Sequence, residues 1–314
     1  AAAPHAVFAA PSSVVSWSAG SFSSCAVTDD GAVRCWGNNL YGQIGDGTTT
    51  AAPIARPAMI VGAIRVSVGG QHACALLAGG TVDCWGDDSS GQLGDGSSDS
   101  GRSLPQPVAG LAGVLSVASG LSHSCALITG NTVKCWGNNA SGQLGDGTFS
   151  NSPLPVPVLG LDHVQAIAVG GSVSCALLLD HSVGCWGDDS FGQLGDGSAP
   201  RTSIVVPVAG ITTATAIAVG GNHACARLDS GELRCWGSNA LGQIGDGTTS
   251  DRSAPVVVAG VVGWSESGGV AVHAARSTPT RVAQTPHRRW DVRRTIRPGY
   301  ETDGAPAVTA MRGR

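Results

Sequence analysis

Ten cysteines occur in five pairs, and of all the residue patterns in the chain this one is the most capable of chemistry. In every pair the second cysteine follows the first by ten positions: Cys25 and Cys35, Cys74 and Cys84, Cys125 and Cys135, Cys175 and Cys185, and Cys225 and Cys235. Cysteines so arranged can bind zinc, form disulfides or remain reduced core thiols. Zinc is disfavoured because no Cys-x-x-Cys is present and the gap is not a usual zinc spacing. Disulfides explain best why the two cysteines always occur together, with reduced thiols as the alternative.

Histidines and aspartates near the cysteines do not complete a metal site. His72, His123 and His223 each lie two residues before a cysteine, but Ser23 and Val173 take that place in the other two copies. The Gly-Asp-Gly runs lack the alternating acidic residues and the late glutamate of a calcium loop. We therefore expect no metal, and we assign the aspartates to turn formation through nearby backbone N–H groups.

Catalytic motifs are missing from the sequence as well. It has no nucleophile elbow, no phosphate-binding loop and no glycine-rich fingerprint between a strand and a helix. The histidines outside the cysteine-containing segments are isolated. The sequence therefore predicts a protein that is not an enzyme and has no cofactor.

The cysteine pairs belong to an internal repeat of about 50 residues. Each second cysteine begins a Cys-Trp-Gly tripeptide, and a Gly-Gln-Ile/Leu-Gly-Asp-Gly run follows. These runs start at Gly42, Gly91, Gly142, Gly192 and Gly242. With 47 glycines and only 13% charged residues, the composition favours short strands joined by many turns. The sequence predicts an all-β array of five repeats over residues 14–262.

Within one repeat the two cysteines predict a β-hairpin. If Cys25 faces Cys35, then Val27 faces Val33, and a three-residue loop is left that needs a left-handed residue at its last position. The residues at that position are Gly31, Gly80, Asn131, His181 and Gly231, all of types that tolerate this conformation. Each pair can then close as a disulfide within its own hairpin, which stabilises by at most about 3 kcal/mol and implies an oxidising compartment.

Five tryptophans directly follow the second cysteines and so point to the opposite face of each sheet. They are Trp36, Trp85, Trp136, Trp186 and Trp236. We expect them to pack between neighbouring sheets, where each adds a large apolar area to a core of small residues. The alternative is an exposed ring of aromatic side chains that binds sugars or peptides.

The repeat motif resembles the regulator of chromosome condensation repeat, in the cysteine-paired form common in bacterial exported or surface proteins. The resemblance rests on Cys-Trp-Gly-Asn-Asn-x-x-Gly-Gln-Ile/Leu-Gly-Asp-Gly-Thr after a Val-Gly-Gly-x-His-x-Cys-Ala-Leu strand, over roughly residues 14–262. It implies a β-propeller of four-stranded blades, typically seven to a ring. Five repeats correspond to an incomplete seven-bladed ring, a closed five-bladed ring or an association of copies. The family includes a guanine-nucleotide exchange factor that docks on nucleosomes and an inhibitor of β-lactamases, and neither activity can be carried over to this chain. No insertion between the repeats could serve as a wedge that removes nucleotide from a GTPase.

Charge is distributed unevenly along the chain. Residues 1–264 hold 18 acidic and 9 basic side chains, so the repeat body has no electrostatic footprint for nucleic acid. No apolar run is long enough to span a membrane as a helix. Residues 1–13 form an N-terminal extension, and residues 263–314 form a degenerate sixth repeat and a basic, poorly ordered tail. The tail either binds an anionic partner or results from a frameshift or a mis-called end of the gene. We favour the second explanation, because residues 294–299 can be encoded so that a shifted frame reads Asn-Asn-Ser-Ala-Gly, a phrase of the repeat.

These observations together predict a non-catalytic scaffold that binds a protein or ligand through loops on one face. The most variable stretches follow the Gly-Asp-Gly runs, and their candidate contact residues are Asp99, Arg102 and Arg201. The cysteine pairs predict an extracellular, periplasmic or cell-surface location. A regulator of a small GTPase and a purely structural repeat module are the alternatives.

Overall fold

The computed structural model describes residues 12–198 and 200–261, in which the only regular elements are twenty β-strands. They form five four-stranded sheets, which we call blades one to five. Blade one contains β1 Val14–Ala19, β2 Ser23–Thr28, β3 Val33–Gly37 and β4 Ala52–Pro57. Blade two contains β5 Ala63–Val68, β6 His72–Leu77, β7 Val82–Gly86 and β8 Arg102–Pro107. Blade three contains β9 Val114–Ser119, β10 His123–Ile128, β11 Thr132–Gly137 and β12 Ser152–Pro157. Blade four contains β13 Val164–Val169, β14 Val173–Leu178, β15 Val183–Gly187 and β16 Thr202–Pro207, and blade five contains β17 Ala214–Val219, β18 His223–Leu228, β19 Leu233–Gly237 and β20 Arg252–Val257.

Every blade is an antiparallel meander whose strands pair in sequence order. The first strands of the five blades lie innermost and line a shared cavity of about 370 Å³. The ring is not closed between blade five and blade one. The all-β, propeller-type array predicted from the repeat is confirmed, with one repeat in each blade.

The central hairpin of each blade has the cysteines directly opposite one another. Cys25 pairs with Cys35 and Val27 pairs with Val33, and the other four blades have the equivalent pairs. The cysteine Cα atoms are 4.0–4.1 Å apart, and all five pairs are disulfides. The last loop residue has positive φ in every blade: Gly31 at 78°, Gly80 at 74°, Asn131 at 60°, His181 at 67° and Gly231 at 83°.

Four hydrophobic cores lie between consecutive blades. Each core contains the disulfide of the earlier blade and the tryptophan of the later blade. The first core, for example, contains Cys25, Cys35 and Trp85. Disulfide and tryptophan therefore point to opposite faces of every sheet, because the tryptophan follows the cysteine by one residue on an extended strand.

The ends of the predicted domains fall at the limits of the described structure. Residues 1–11 of the N-terminal extension and the whole of the predicted tail, residues 263–314, lie outside the described residues. The predicted sixth repeat also lies there. Blade one begins at Val14 and blade five ends at Val257, within the limits predicted for the repeat array.

Candidate binding face

Two kinds of loop emerge on the same face of the array. First and third strands of an antiparallel meander run in the same direction, so the loops that follow them lie at the same end of the blade. The first-strand loops are residues 20–22, 69–71, 120–122, 170–172 and 220–222, and the third-strand loops are residues 38–51, 87–101, 138–151, 188–201 and 238–251. We call the face formed by these ten loops the binding face.

Internal hydrogen bonds hold the third-strand loops in shape. In blade one the buried side chain of Asn39 donates from Nδ2 to the carbonyls of Thr48 and Thr50, at 3.0 and 3.1 Å. Its Oδ1 accepts from the Ile44 amide at 2.9 Å. Oδ1 of Asp46 accepts from the Thr48 amide at 3.0 Å, which is the turn bond expected of the Gly-Asp-Gly aspartates. Loops braced in this way present their exposed side chains at little entropic cost on binding.

Aromatic side chains are concentrated on the binding face. Every phenylalanine and tyrosine in the described residues lies in one of these loops and is exposed: Phe22 (59%), Tyr41 (39%), Phe149 (47%) and Phe191 (40%). The loops at the other end of the blades contain no aromatic residue. Because phenylalanine and tyrosine are enriched at the centres of protein interfaces, this asymmetry distinguishes one face as the candidate site.

The binding face is acidic. The third-strand loops carry eleven aspartates, whereas Arg201 is the only basic residue in them. Arginines on the outermost strands pair with some of these aspartates, as Arg56 does with Asp46 at 3.3 Å and Arg252 does with Asp246 at 2.6 Å. In blades three and four, the equivalent Asp146 and Asp196 have no ion-pair partner in the described part of the chain.

Of the three residues proposed from the sequence as binding contacts, Asp99 and Arg201 lie in loops of this face and Arg102 is the first residue of β8 beside it. Two of the three are already engaged. Arg102 contacts Asp99 at 2.6 Å and also Asp95 at 3.4 Å, so both predicted residues brace their own loop. Hydrogen bonding from Arg102 lowers the pKa of Asp99. The guanidinium of Arg201 lies 5.1 Å from the ring centroid of Phe149, which joins the variable loops of blades three and four.

Four of the five predicted packing tryptophans lie fully buried between blades. Each donates its indole N–H to a glutamine carbonyl of the preceding blade at 2.9–3.0 Å: Trp85 to Gln43, Trp136 to Gln92, Trp186 to Gln143 and Trp236 to Gln193. Trp36 departs from the prediction, since no other blade in the described residues packs against it and its side chain is 36% exposed.

The histidines before the cysteines link blades. Nε2 of His72 lies 2.8 Å from Oγ of Ser124, and Nε2 of His123 lies 2.9 Å from Oγ of Ser174. Burial lowers the pKa of His72 to about 4 and that of His123 to about 3, so both are neutral at physiological pH. Within the described residues, no three histidine, cysteine or acidic side chains are placed to hold a metal ion.

Two blades carry an aspartate where the others have the loop-bracing asparagine. Asp88 and Asp189 occupy the position of Asn39, and burial raises the pKa of both, that of Asp189 to about 6. Oγ of Ser97 donates to Oδ2 of Asp88 at 2.8 Å, whereas Oδ2 of Asp189 is buried with no hydrogen-bond partner among the described residues. Blade four therefore contains an uncompensated buried carboxylate oxygen.

Sequence reasoning did not identify the exposed aromatic residues of the binding face. The available signal was the position at which nearly identical repeats differ: Tyr41 and Phe191 align with Ser90, Ser141 and Leu241. A large side chain at a variable loop position, where other copies have serine, is not required for the fold. Comparison of the copies would therefore have found these residues.

Five repeated four-stranded blades with inner strands around one cavity define a propeller-type protein. A family model described as RCC1-like domain matches residues 1–278, and the chain belongs to this family. The solved structure of human WBSCR16 has the same fold, with 21% identity, a TM-score of 0.71, and coverage of 79% of this chain and 67% of that one. Yeast RCC1 (Prp20), solved bound to Kap60, is similar, with 22% identity, a TM-score of 0.68 and coverage of 76% and 59%. A structure of Prp20p from Saccharomyces cerevisiae has 21% identity, a TM-score of 0.66 and coverage of 76% and 61%.

The chain thus spans about three fifths of the length of Prp20. In residues 12–198 and 200–261 there is no helix that is long and apolar enough to cross a membrane. The five disulfides are consistent with an oxidising environment.

Proposed function

We propose that this chain is a non-catalytic scaffold that binds a protein partner through the binding face. The observation that carries the proposal is the placement of Phe22, Tyr41, Phe149 and Phe191, all exposed on the same face. Exposed aromatic side chains on braced loops supply large contact areas with little loss of conformational entropy. The rigid blades position these loops, and the loops provide the specificity.

The chemistry of the face favours a partner with basic and apolar side chains. Asp146 and Asp196, in the loops that also carry Phe149 and Arg201, have no ion pair within the described residues, so arginine or lysine side chains of a partner could pair with them. The same negative charge repels phosphate backbones, which supports a protein rather than a nucleic acid as the partner. Complex formation of this kind weakens as the salt concentration rises.

We place this activity in an exported protein of a bacterium, at an extracellular, periplasmic or cell-surface location. Support for this location comes from the five disulfides, since such bonds persist in oxidising compartments and are rare in the cytosol. The cysteine-paired form of the repeat supports the bacterial assignment. The partner is therefore to be sought among exported proteins.

The test compares two variants of the full chain as bait in an extract of exported proteins. The first variant replaces the four exposed aromatic residues of the binding face by serine. The control variant replaces Met59 and Val61, which are 70% and 81% exposed at the other end of the blades. A partner retained by the wild type and the control is then purified, and its affinity for all three proteins is measured by titration calorimetry.

We expect the four-residue variant to lose at least about tenfold in affinity, because interface aromatic residues commonly contribute more than 1.4 kcal/mol each. The control should bind as the wild type does. Equal affinities of all three proteins would contradict the proposed face. A failure to retain any partner would favour the purely structural alternative, and retention of a nucleotide-free small GTPase would favour the exchange-factor alternative.

A further inference from the structure

Each of the four blade junctions is built from the same contacts. The tryptophan of the later blade donates to a glutamine carbonyl of the earlier blade. The last glycine of each Gly-Asp-Gly run donates its amide to the outermost strand of the later blade. These bonds join Gly47 to Ser103, Gly96 to Pro153, Gly147 to Ser203 and Gly197 to Ser253, at 2.8–3.0 Å. Every blade therefore has two unlike faces, a receiving face toward the later blade and a tryptophan face toward the earlier one.

Within residues 12–198 and 200–261, no blade covers the receiving face of blade five. A β-carbon placed on Gly221 or Gly242 would meet no atom within 4 Å. The corresponding β-carbon on Gly70 would lie only 2.5 Å from the carbonyl oxygen of Leu121 in the next blade. At blade five, no described residue occupies the space that a following blade fills at the other junctions.

No blade in the described part of the chain covers the tryptophan face of blade one. Trp36 is 36% exposed, whereas the other four tryptophans of the repeat are fully buried. Its indole N–H has no acceptor in residues 12–198 and 200–261, since no glutamine carbonyl of an earlier blade is present. One end of the array therefore exposes a large aromatic side chain, and the other end exposes the kind of surface that buries this side chain at the four junctions.

A polar contact between neighbouring blades indicates more specifically that the two ends fit each other. Where the earlier blade has a histidine, the later blade has a serine to bond it, as in His72 with Ser124 and His123 with Ser174. Where the earlier blade has another residue, the later blade has an alanine, as in Ser23 before Ala73 and Val173 before Ala224. Blade five has His223 and blade one has Ser24, the matched combination.

We propose that the receiving face of blade five binds the tryptophan face of blade one of a second copy of this chain. The contact continues the established blade junction across two molecules: Trp36 donates to the carbonyl of Gln243, and His223 pairs with Ser24. A second copy supplies blade one because the chain's own blade one does not reach blade five, the ring being open. The contact joins two different surfaces, so it propagates from copy to copy until the assembly closes.

The contact can be abolished separately on each side. Trp36→Ala removes the side chain that enters the receiving face. Gly221→Arg fills that face, and it is tolerated in the free chain because its β-carbon has open space and its φ lies outside the left-handed region. Met59→Ala serves as the matched control, because Met59 is exposed and belongs to neither of the two faces. All are made in the full chain with its disulfides intact.

Sedimentation velocity over a range of protein concentrations measures the outcome. We expect the wild type and Met59→Ala to associate as concentration rises, and each single variant alone to remain monomeric. An equimolar mixture of Trp36→Ala and Gly221→Arg should form a dimer of twice the 31.2 kDa chain mass, since one intact tryptophan face and one intact receiving face remain. The wild type and the Met59→Ala control should form assemblies larger than a dimer as the concentration rises.

Two results would overturn the proposal. A wild type that is monomeric at all concentrations would show that the two faces do not bind each other between copies. Association that both single variants retain would show that copies meet through another surface. Neither result bears on the binding face, whose aromatic residues remain intact in all variants.

Discussion

Replacing Asp189 by asparagine is expected to stabilise the protein, and by an amount that depends on pH. Asp189 is fully buried, and its Oδ1 accepts from the Leu194 amide at 2.8 Å while its Oδ2 has no hydrogen-bond partner. Burial raises its pKa from 3.8 to about 6, and the nearby carboxylates of Asp196 and Asp188 add to the effect. The folded state therefore holds a proton on this group more tightly than the unfolded state does.

The sign of the pH dependence follows from that difference. A carboxyl group whose folded pKa is raised contributes no penalty below about pH 4, where it is protonated in both states. Between pH 4 and about 6 the unfolded state releases the proton first, so the free energy of unfolding falls as pH rises. Above pH 6 the penalty is constant at about 3 kcal/mol, since each pKa unit corresponds to about 1.4 kcal/mol.

An asparagine at this position carries no such penalty and can reproduce the bonds seen in blade three. There, Nδ2 of Asn139 donates to the carbonyl of Thr148 at 3.1 Å and to Oδ1 of Asp146 at 3.0 Å. Asp189→Asn should therefore raise the free energy of unfolding by about 3 kcal/mol at pH 7.5 and by much less at pH 4. Asn139→Asp should do the reverse.

Urea unfolding followed by tryptophan fluorescence at several pH values, without reductant, measures these differences. Comparison with the wild type at each pH removes the contribution of all other carboxylates. Asp88→Asn is the matched control with a smaller expected gain, because Ser97 already donates to that carboxylate. A variant–wild type difference that stays the same from pH 4 to 7.5, or a variant less stable at pH 7.5, would refute the reasoning.

Two further changes test the packing and the disulfides. Trp85→Ala should cost about 3–5 kcal/mol in stability because it empties a fully buried site, whereas Trp36→Ala should cost about 1 kcal/mol or less at the open end. Thermal unfolding distinguishes the two variants, and equal losses of stability would contradict the burial of tryptophan at the blade junctions. Intact-mass measurement after alkylation should show ten labels per chain only after reduction, and ready labelling without reductant would contradict both the five disulfides and the exported location.

The strand pairing of the central hairpins could be predicted from the sequence because two independent constraints agree. The cysteine pair predicts the register, and the residue at the last loop position tests it, since Asn131 and His181 accept positive φ where most residues do not. A slip by one residue would place the cysteines on opposite faces, so a single register satisfies both constraints. Repetition in five copies strengthened this inference.

The roles of the loop residues could not be predicted in the same way. Arg102 has the exposure and position expected of a binding residue, yet it pairs with Asp95 and Asp99 within its own loop. That pairing depends on the path of a 15-residue loop, which spacing along the sequence does not define. The different environment of Trp36 likewise depends on which blades lie beside it, a property of the assembled array rather than of the repeat.

Residues that recur in every copy and residues that vary have separate physical tasks in this molecule. The cysteines, the Gly-Asp-Gly aspartates and the buried tryptophans form bonds within a blade or to its neighbour, so each copy needs them for the same reason. The side chains of Phe149, Phe191 and Arg201 take no part in the tryptophan and glycine hydrogen bonds that join the blades, so their removal leaves those bonds in place. Selection on a partner can therefore change them without cost to the fold, which is why differences between copies point to the binding face more directly than the repeat motif does.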